Sequence, residues 1–218
     1  WKDKIPNFAK VTIPVYQTAG MSHFHLMGSV KAFRLCKSRQ KWLRIHRDFE
    51  WPDTYTPENL EDLKRFYDRY LKDIHNGWEM TPKVRVDVMD AYDDDYCTRR
   101  AETSFPLERT EYRKYYFDAS KHVGGDVYEM SETPVATESS VSYDGKTGQV
   151  EFDLQFKEDT ELTGYMKVHM FVEADGHDDM DLFINVQKAD ADGNWIPWFT
   201  LDEPHPGAWG KCRVSRRE

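Results

Sequence analysis

The chain is poor in the residues that usually announce a specialised class. It has only three cysteines, Cys36, Cys97 and Cys212, all far apart in its 218 residues. No C-x-x-C occurs, so neither a zinc knuckle nor a dithiol redox motif is present, and a disulfide scaffold is excluded. Reduced thiols in a cytoplasmic protein are the expectation that follows. No apolar run reaches the roughly 18 residues of a membrane span, and the first residues, Trp1-Lys2-Asp3-Lys4, carry no leader pattern. Cationic surplus is missing too: the formal net charge is -9, which disfavours nucleic acid as a partner. There is no G-x-G-x-x-G, no Walker loop and no G-x-S-x-G elbow, so no cofactor is expected and no serine nucleophile is visible.

What is abundant is aromatic surface. Twelve Phe, twelve Tyr and seven Trp are enough to build a core despite a charged fraction of 32%. The ends, Trp1 and Arg216-Arg217-Glu218, are read as those of a piece of a longer protein.

Periodicity divides the chain in two. Residues 11–17 read as a short strand that Pro14 demotes toward an edge. Leu26, Val30 and Phe33 are spaced for a short helix ending near Cys36, and Lys41 to His46 reads as a second strand. A helix is expected over 57–72, with Thr56 as N-cap and Pro57 in the first turn. Leu60, Leu63, Phe66, Tyr67, Tyr70 and Leu71 form its apolar stripe, and Asn76-Gly77 ends it. Beyond Pro82 the period changes to two, beginning with Val84, Val86 and Val88. Further extended segments are expected at 112–118, 150–156, 165–172, 180–188 and 195–200, separated by Asp144-Gly145, Asp175-Gly176 and Asp192-Gly193 turns. Residues 119–148 read as a long loop. The fold class expected is α/β over residues 1–80 and all-β over 81–218, a sandwich or jelly roll incomplete at its C-terminus.

Asp93-Asp94-Asp95 reads as a solvated loop rather than a cation site. Asp190 to Asn194 imitates the start of a calcium loop but lacks its closing glutamate, and with Asp175 to Asp179 it reads as a turn. The histidines carry more. His23, His25 and His46 fall at the ends of α/β strands, where catalytic groups gather. Asp48 and Glu50 are placed to orient an imidazole, and His23, His25 and Glu50 also make a possible metal set. His75, His122, His169 and His205 read as structural or exposed.

The order of segments resembles the serine hydrolases that include cocaine esterase, glutaryl-acylase-like enzymes and X-prolyl dipeptidyl aminopeptidase. The resemblance runs through Ile13-Pro14-Val15 to Gly20, Lys41 to His46, and Leu63 to Lys72. It is most specific at Asn76-Gly77-Trp78-Glu79-Met80-Thr81-Pro82-Lys83-Val84-Arg85-Val86, then continues in Phe105-Pro106-Leu107, Tyr112 to Phe117, Glu158 to Gly164 and Asp179-Met180-Asp181-Leu182-Phe183. It implies the end of an α/β-hydrolase domain followed by a jelly roll, a serine nucleophile in a missing N-terminal half, and an ester or peptide substrate. At the site the pattern departs. Gly20-Met21-Ser22-His23 stands where the family has Gly-Trp-Tyr-Asp, so His23 takes the place of the triad acid. Glu50 falls where the family's Gly-Pro-Trp-x-His places the triad histidine. A divergent branch with H-x-x-G and W-L-x-x-H…W matches His25-Leu26-Met27-Gly28 and Trp42 to His46 with Trp51. The resemblance leaves His25 or His46 as base, or a lost triad; a reciprocal exchange makes His23 the base and Glu50 its orienter. The alternative from another class is a carbohydrate- or partner-binding jelly roll with Trp195, Trp198 and Trp209 as its platform.

Overall fold

The computed structural model describes residues 4–91 and 94–217, so Asp93 lies outside the described residues, whereas Asp94 and Asp95 open a strand and not a loop, because their backbone pairs with Ala91 and Met89. Two compact units are present, one formed by 1–108 with 165–218 and the other by 109–164.

In the first unit, β1 (Val15–Gly20) and β2 (Lys41–His46) pair in parallel, β2 pairs in parallel with β3 (Val84–Ala91), and β4 (Asp94–Glu102) runs antiparallel to β3. The sheet order is β1-β2-β3-β4. Helix α1 (Leu26–Leu35) connects β1 to β2; α2 (Glu50–Thr54) and α3 (Pro57–Leu71) connect β2 to β3. Strand period two sorts the side chains between two faces. Ala19, Leu43, Ile45, Val84 and Val86 are buried with Val30 and Phe33 of α1. On the opposite face Trp42 and Trp78 are buried with Phe66 of α3, and Tyr16 and Tyr70 close that cluster. Both faces are covered, as a parallel sheet requires.

Between the apolar groups of the second face runs a buried ionic seam. Arg85 on β3 donates to Asp62 on α3 through Nη1 at 3.1 Å and Nη2 at 2.8 Å, and Tyr16 Oη donates to the same carboxylate at 2.5 Å. Arg44 on β2 donates Nη1 to Asp53 Oδ1 at 2.8 Å and Nη2 to Oδ2, and its Nε reaches Tyr16 Oη at 3.3 Å. The seam ties α2 and α3 to all three parallel strands. Burial alone would push the Asp62 carboxyl up, but the hydrogen bonds from Arg85 and Tyr16 outweigh it and hold the group below its usual range.

The rest of the chain is β-rich and sandwich-like, the fold class expected. In the first unit β8 (Asp181–Val186) pairs with β13 (Ala208–Arg213), β9 (Lys188–Ala189) with β10 (Trp195–Ile196), and β11 (Trp198–Thr200) with β12 (Glu203–His205), all antiparallel. Asp190 to Asn194 is the β9–β10 turn: Asp190 Oδ1 accepts from the amides of Asp192 and Asn194 at 2.9 and 2.8 Å, and Gly193 sits at φ 82°. The second unit holds the sheet β5 (Tyr116–Gly124), β6 (Val127–Ser131) and β7 (Glu151–Asp153). Its rings pack as Phe117 on Phe152 at 4.6 Å and Tyr128 on Phe152 at 5.6 Å.

Two expectations are corrected. The stretch 119–148 is not one long loop, because β5 runs to Gly124 and turns through Gly125, at φ 57°, into β6. Residues 165–172 form no strand: they find no ladder partner among the described residues, and Phe171 is 95% exposed. No helix is long and apolar enough to cross a membrane among the described residues.

Candidate functional site

The carboxyl ends of β1 and β2 lie side by side, with Gly20 opposite His46. Beyond Gly20 the chain stays on the ladder for one more bond, Met21 N to His46 O at 2.8 Å, and then turns. His23 N bonds Gly20 O at 3.1 Å and Leu26 N bonds His23 O at 3.1 Å, so residues 21–25 form a tight lead into α1. Glycine is required at 20 by contact: a Cβ there would lie 2.6 Å from Asp48 O, 3.2 Å from His46 Cε1 and 3.4 Å from Glu50 N. The loop after β1 and the loop after β2 therefore touch backbone to backbone.

That contact brings three of the four expected residues together. Glu50 opens α2, and its Oε2 lies 3.4 Å from His25 Nδ1 and 3.5 Å from His23 Nδ1. His25 is 58% exposed at its side chain, whereas His23 is buried. The His23 ring stacks on Phe24 at 4.1 Å and meets the edge of Phe49 at 4.2 Å. His23 Nδ1 accepts from the His25 amide at 3.1 Å, which leaves Nε2 to carry the proton of the neutral ring, and Nε2 has no partner among the described residues. Burial lowers the His23 pKa, with Glu50 opposing and His25 assisting. Trp51 and Phe24, 60% and 67% exposed, stand at the rim.

His46 is set apart. As the last residue of β2 it faces the ionic seam, buried, with Nδ1 3.3 Å from Asp53 Oδ1 but without hydrogen-bond geometry. Burial lowers its pKa, against the pull of Asp53. Among the described residues Asp48 makes no hydrogen bond to an imidazole; its carboxylate accepts from Arg47 Nε at 3.2 Å. Asp53 was not singled out from the sequence. Its signal is helical spacing: Glu50 and Asp53 are three apart on α2 and so share a face. Arg44 thus anchors the helix that presents Glu50. Thr200 was also missed; it donates to Ser22 O at 2.7 Å across 178 residues and pins the β1 loop from the C-terminal region.

The three tryptophans sit on three strands, Trp195 on β10, Trp198 on β11 and Trp209 on β13. Trp198 is half-buried with its indole 3.6 Å from a Cβ position on Gly207, while Trp209 stands 6.4 Å from His205 and 5.7 Å from Lys211 Nζ. Trp195 and Trp209 are exposed.

Residues 76–218 match the family described as the X-Pro dipeptidyl-peptidase C-terminal non-catalytic domain. Two crystal structures of a CocE/NonD family hydrolase from Staphylococcus aureus superpose on the whole chain. One is 31% identical with a TM-score of 0.86 and the other 30% identical with a TM-score of 0.87; each covers 100% of this chain. The chain spans 39% of the length of either. No curated protein matches. The chain therefore belongs to the family of the X-Pro dipeptidyl-peptidase C-terminal non-catalytic domain through residues 76–218, and over its whole length it is similar to a part of the CocE/NonD family hydrolases.

Proposed function

We propose that this chain supplies the acid–base half of an acyl-transfer site acting on ester or amide bonds, X-prolyl dipeptide bonds among them, with the serine nucleophile contributed by residues upstream of Trp1. The observation that carries the reading is the His25–Glu50 pair: Nδ1 lies 3.4 Å from a carboxylate while the ring is open to an incoming group. Glu50 holds the tautomer with the proton on Nδ1. Nε2 is then a free base, able to take a hydroxyl proton and return it to the leaving group, and the carboxylate stabilises the imidazolium between the two steps. His23 is a positioning residue: its Nδ1 accepts the His25 amide and its ring packs on Phe24 and Phe49. The span of 39% of each superposed hydrolase is consistent with a nucleophile lying outside this chain.

The test is hydrolysis of a p-nitrophenyl ester and of an X-prolyl p-nitroanilide by the protein extended upstream. The 218-residue chain alone gives no turnover. In the extended protein His25→Ala lowers kcat by about 10²–10⁴. Full activity in His25→Ala combined with its loss in His23→Ala transfers the base to His23 and sinks this assignment. Full activity in both variants removes the pair from the mechanism.

A further inference from the structure

The same loop contact places three electron-pair donors around one point. Glu50 Oε2 is 3.4 Å from His25 Nδ1 and 3.5 Å from His23 Nδ1, and ligand atoms of the three residues lie within 4.8 Å of one another. A four-coordinate zinc ion with ligands at about 2.0–2.1 Å requires ligand–ligand separations of about 3.4 Å. Two of the three edges already have that length. Two imidazoles and one carboxylate are also a donor set that suits zinc, and the exposed side of His25 leaves a fourth position for water.

A second observation is independent of the distances. His23 Nδ1 acts as an acceptor, from the His25 amide at 3.1 Å, so it carries a lone pair and no proton while lying 3.5 Å from the Glu50 carboxylate. The ring is buried and fixed between Phe24 and Phe49. A buried lone pair beside a carboxylate is relieved by a cation between them. We propose that His23, His25 and Glu50 form a site for a single Zn²⁺ ion.

Binding moves the proton of His25 from Nδ1 to Nε2 and releases the amide of His25 from His23 Nδ1; no covalent or redox step is involved. The lost amide bond and the open fourth position make the affinity lower than that of a closed structural site. Protons compete for the imidazoles, so affinity falls as the pH is lowered. The inference uses the same residues as the acyl-transfer reading but does not rest on it, because its test reads binding and not turnover.

The experiment is titration of ZnCl₂ into the chelator-stripped chain, purified without a histidine tag, by calorimetry at near-neutral pH. Co²⁺ in place of Zn²⁺ reports geometry through its visible absorption. The expected result is one ion per chain, the intense absorption of four-coordinate Co²⁺, and an affinity reduced about tenfold or more in both His25→Ala and Glu50→Gln. His122→Ala, at an exposed histidine of the second unit, leaves binding unchanged. His25 is exposed, so its truncation does not threaten folding, and far-UV circular dichroism checks each variant. Absence of saturable binding overturns the proposal. Binding that either His25→Ala or Glu50→Gln leaves unchanged overturns it as well.

Discussion

Gly20→Ala tests the contact on which the site depends. The added Cβ would stand 2.6 Å from the Asp48 carbonyl oxygen, about 0.8 Å inside the 3.4 Å at which ordinary contact begins. The obstacle is backbone, so no rotamer change relieves it, and His46 Cε1 at 3.2 Å blocks the sideways escape. The strand ends must part, and the segment that moves carries Glu50 N, itself 3.4 Å away. Overpacking of this kind costs about 1–3 kcal/mol. Alanine recovers about 0.4–1 kcal/mol by restricting the unfolded chain, which leaves a net loss of about 1–2 kcal/mol. With a urea m-value of about 2 kcal/mol/M the unfolding midpoint falls by about 0.5–1 M, measured by tryptophan fluorescence. Gly28→Ala is the control. It is the same chemical change in the exposed part of α1, where a Cβ meets nothing within 4 Å, and it stabilises by about 0.5–1 kcal/mol. Equal midpoints for the two variants, or a Gly20→Ala chain as stable as the parent, would refute the steric argument.

The ionic seam makes three further predictions. Asp62→Asn leaves Arg85 buried without its counter-charge and costs about 3–5 kcal/mol by denaturant titration. Because the folded Asp62 pKa lies below its ordinary 3.8, its contribution is present above that pH and lost as the pH falls through the folded value, so Asp62→Asn flattens the acid limb of the stability profile. Tyr16 is pushed up by burial to about 12 from 10.0; its contribution is full below pH 10 and lost as the pH rises toward 12, and Tyr16→Phe removes that alkaline decline. Outside the seam, Thr200→Val deletes the bond to Ser22 O at a cost of about 0.5–1.5 kcal/mol and speeds hydrogen exchange at the His23 amide; unchanged exchange there would separate the C-terminal region from the site.

Local signals were legible where one element carries its own boundaries. The helix expected over 57–72 is found at Pro57–Leu71, because Thr56 Oγ1 accepts from Asn59 N at 3.4 Å and Gly77 takes φ 74° after the helix. The first strand was displaced, from 11–17 to Val15–Gly20, since its limits are set by pairing with β2 and Pro14 has no N–H to offer a ladder. Residues 165–172 show why alternation alone is insufficient: a strand needs a partner, and partners are not written in a segment's own period. Helix α2 escaped notice because five residues with Pro52 among them carry no periodicity. The hairpin in 119–148 was hidden by composition, although Gly124-Gly125-Asp126 is a turn signal once strands are sought on both sides.

The site was legible in residue type and hidden in its pairing. Spacing placed His23, His25 and His46 near strand ends alike, yet they divide by a rule available from the sequence. His46 belongs to β2, where Trp42, Arg44 and His46 share one face and Leu43 and Ile45 the other, so the period that buries Leu43 under α1 also commits His46 to the seam and to Asp53. His23 and His25 follow the end of β1 and escape strand alternation. Their directions are set by the turn from Gly20 into α1, and Gly20 tolerates that turn only because it lacks a Cβ. Glu50 reaches them because Arg44 holds Asp53 three residues further along the same short helix. The chemistry sits on loop residues, and its geometry comes from the strands, through one glycine and one buried arginine whose roles appear only when β1 and β2 are laid side by side.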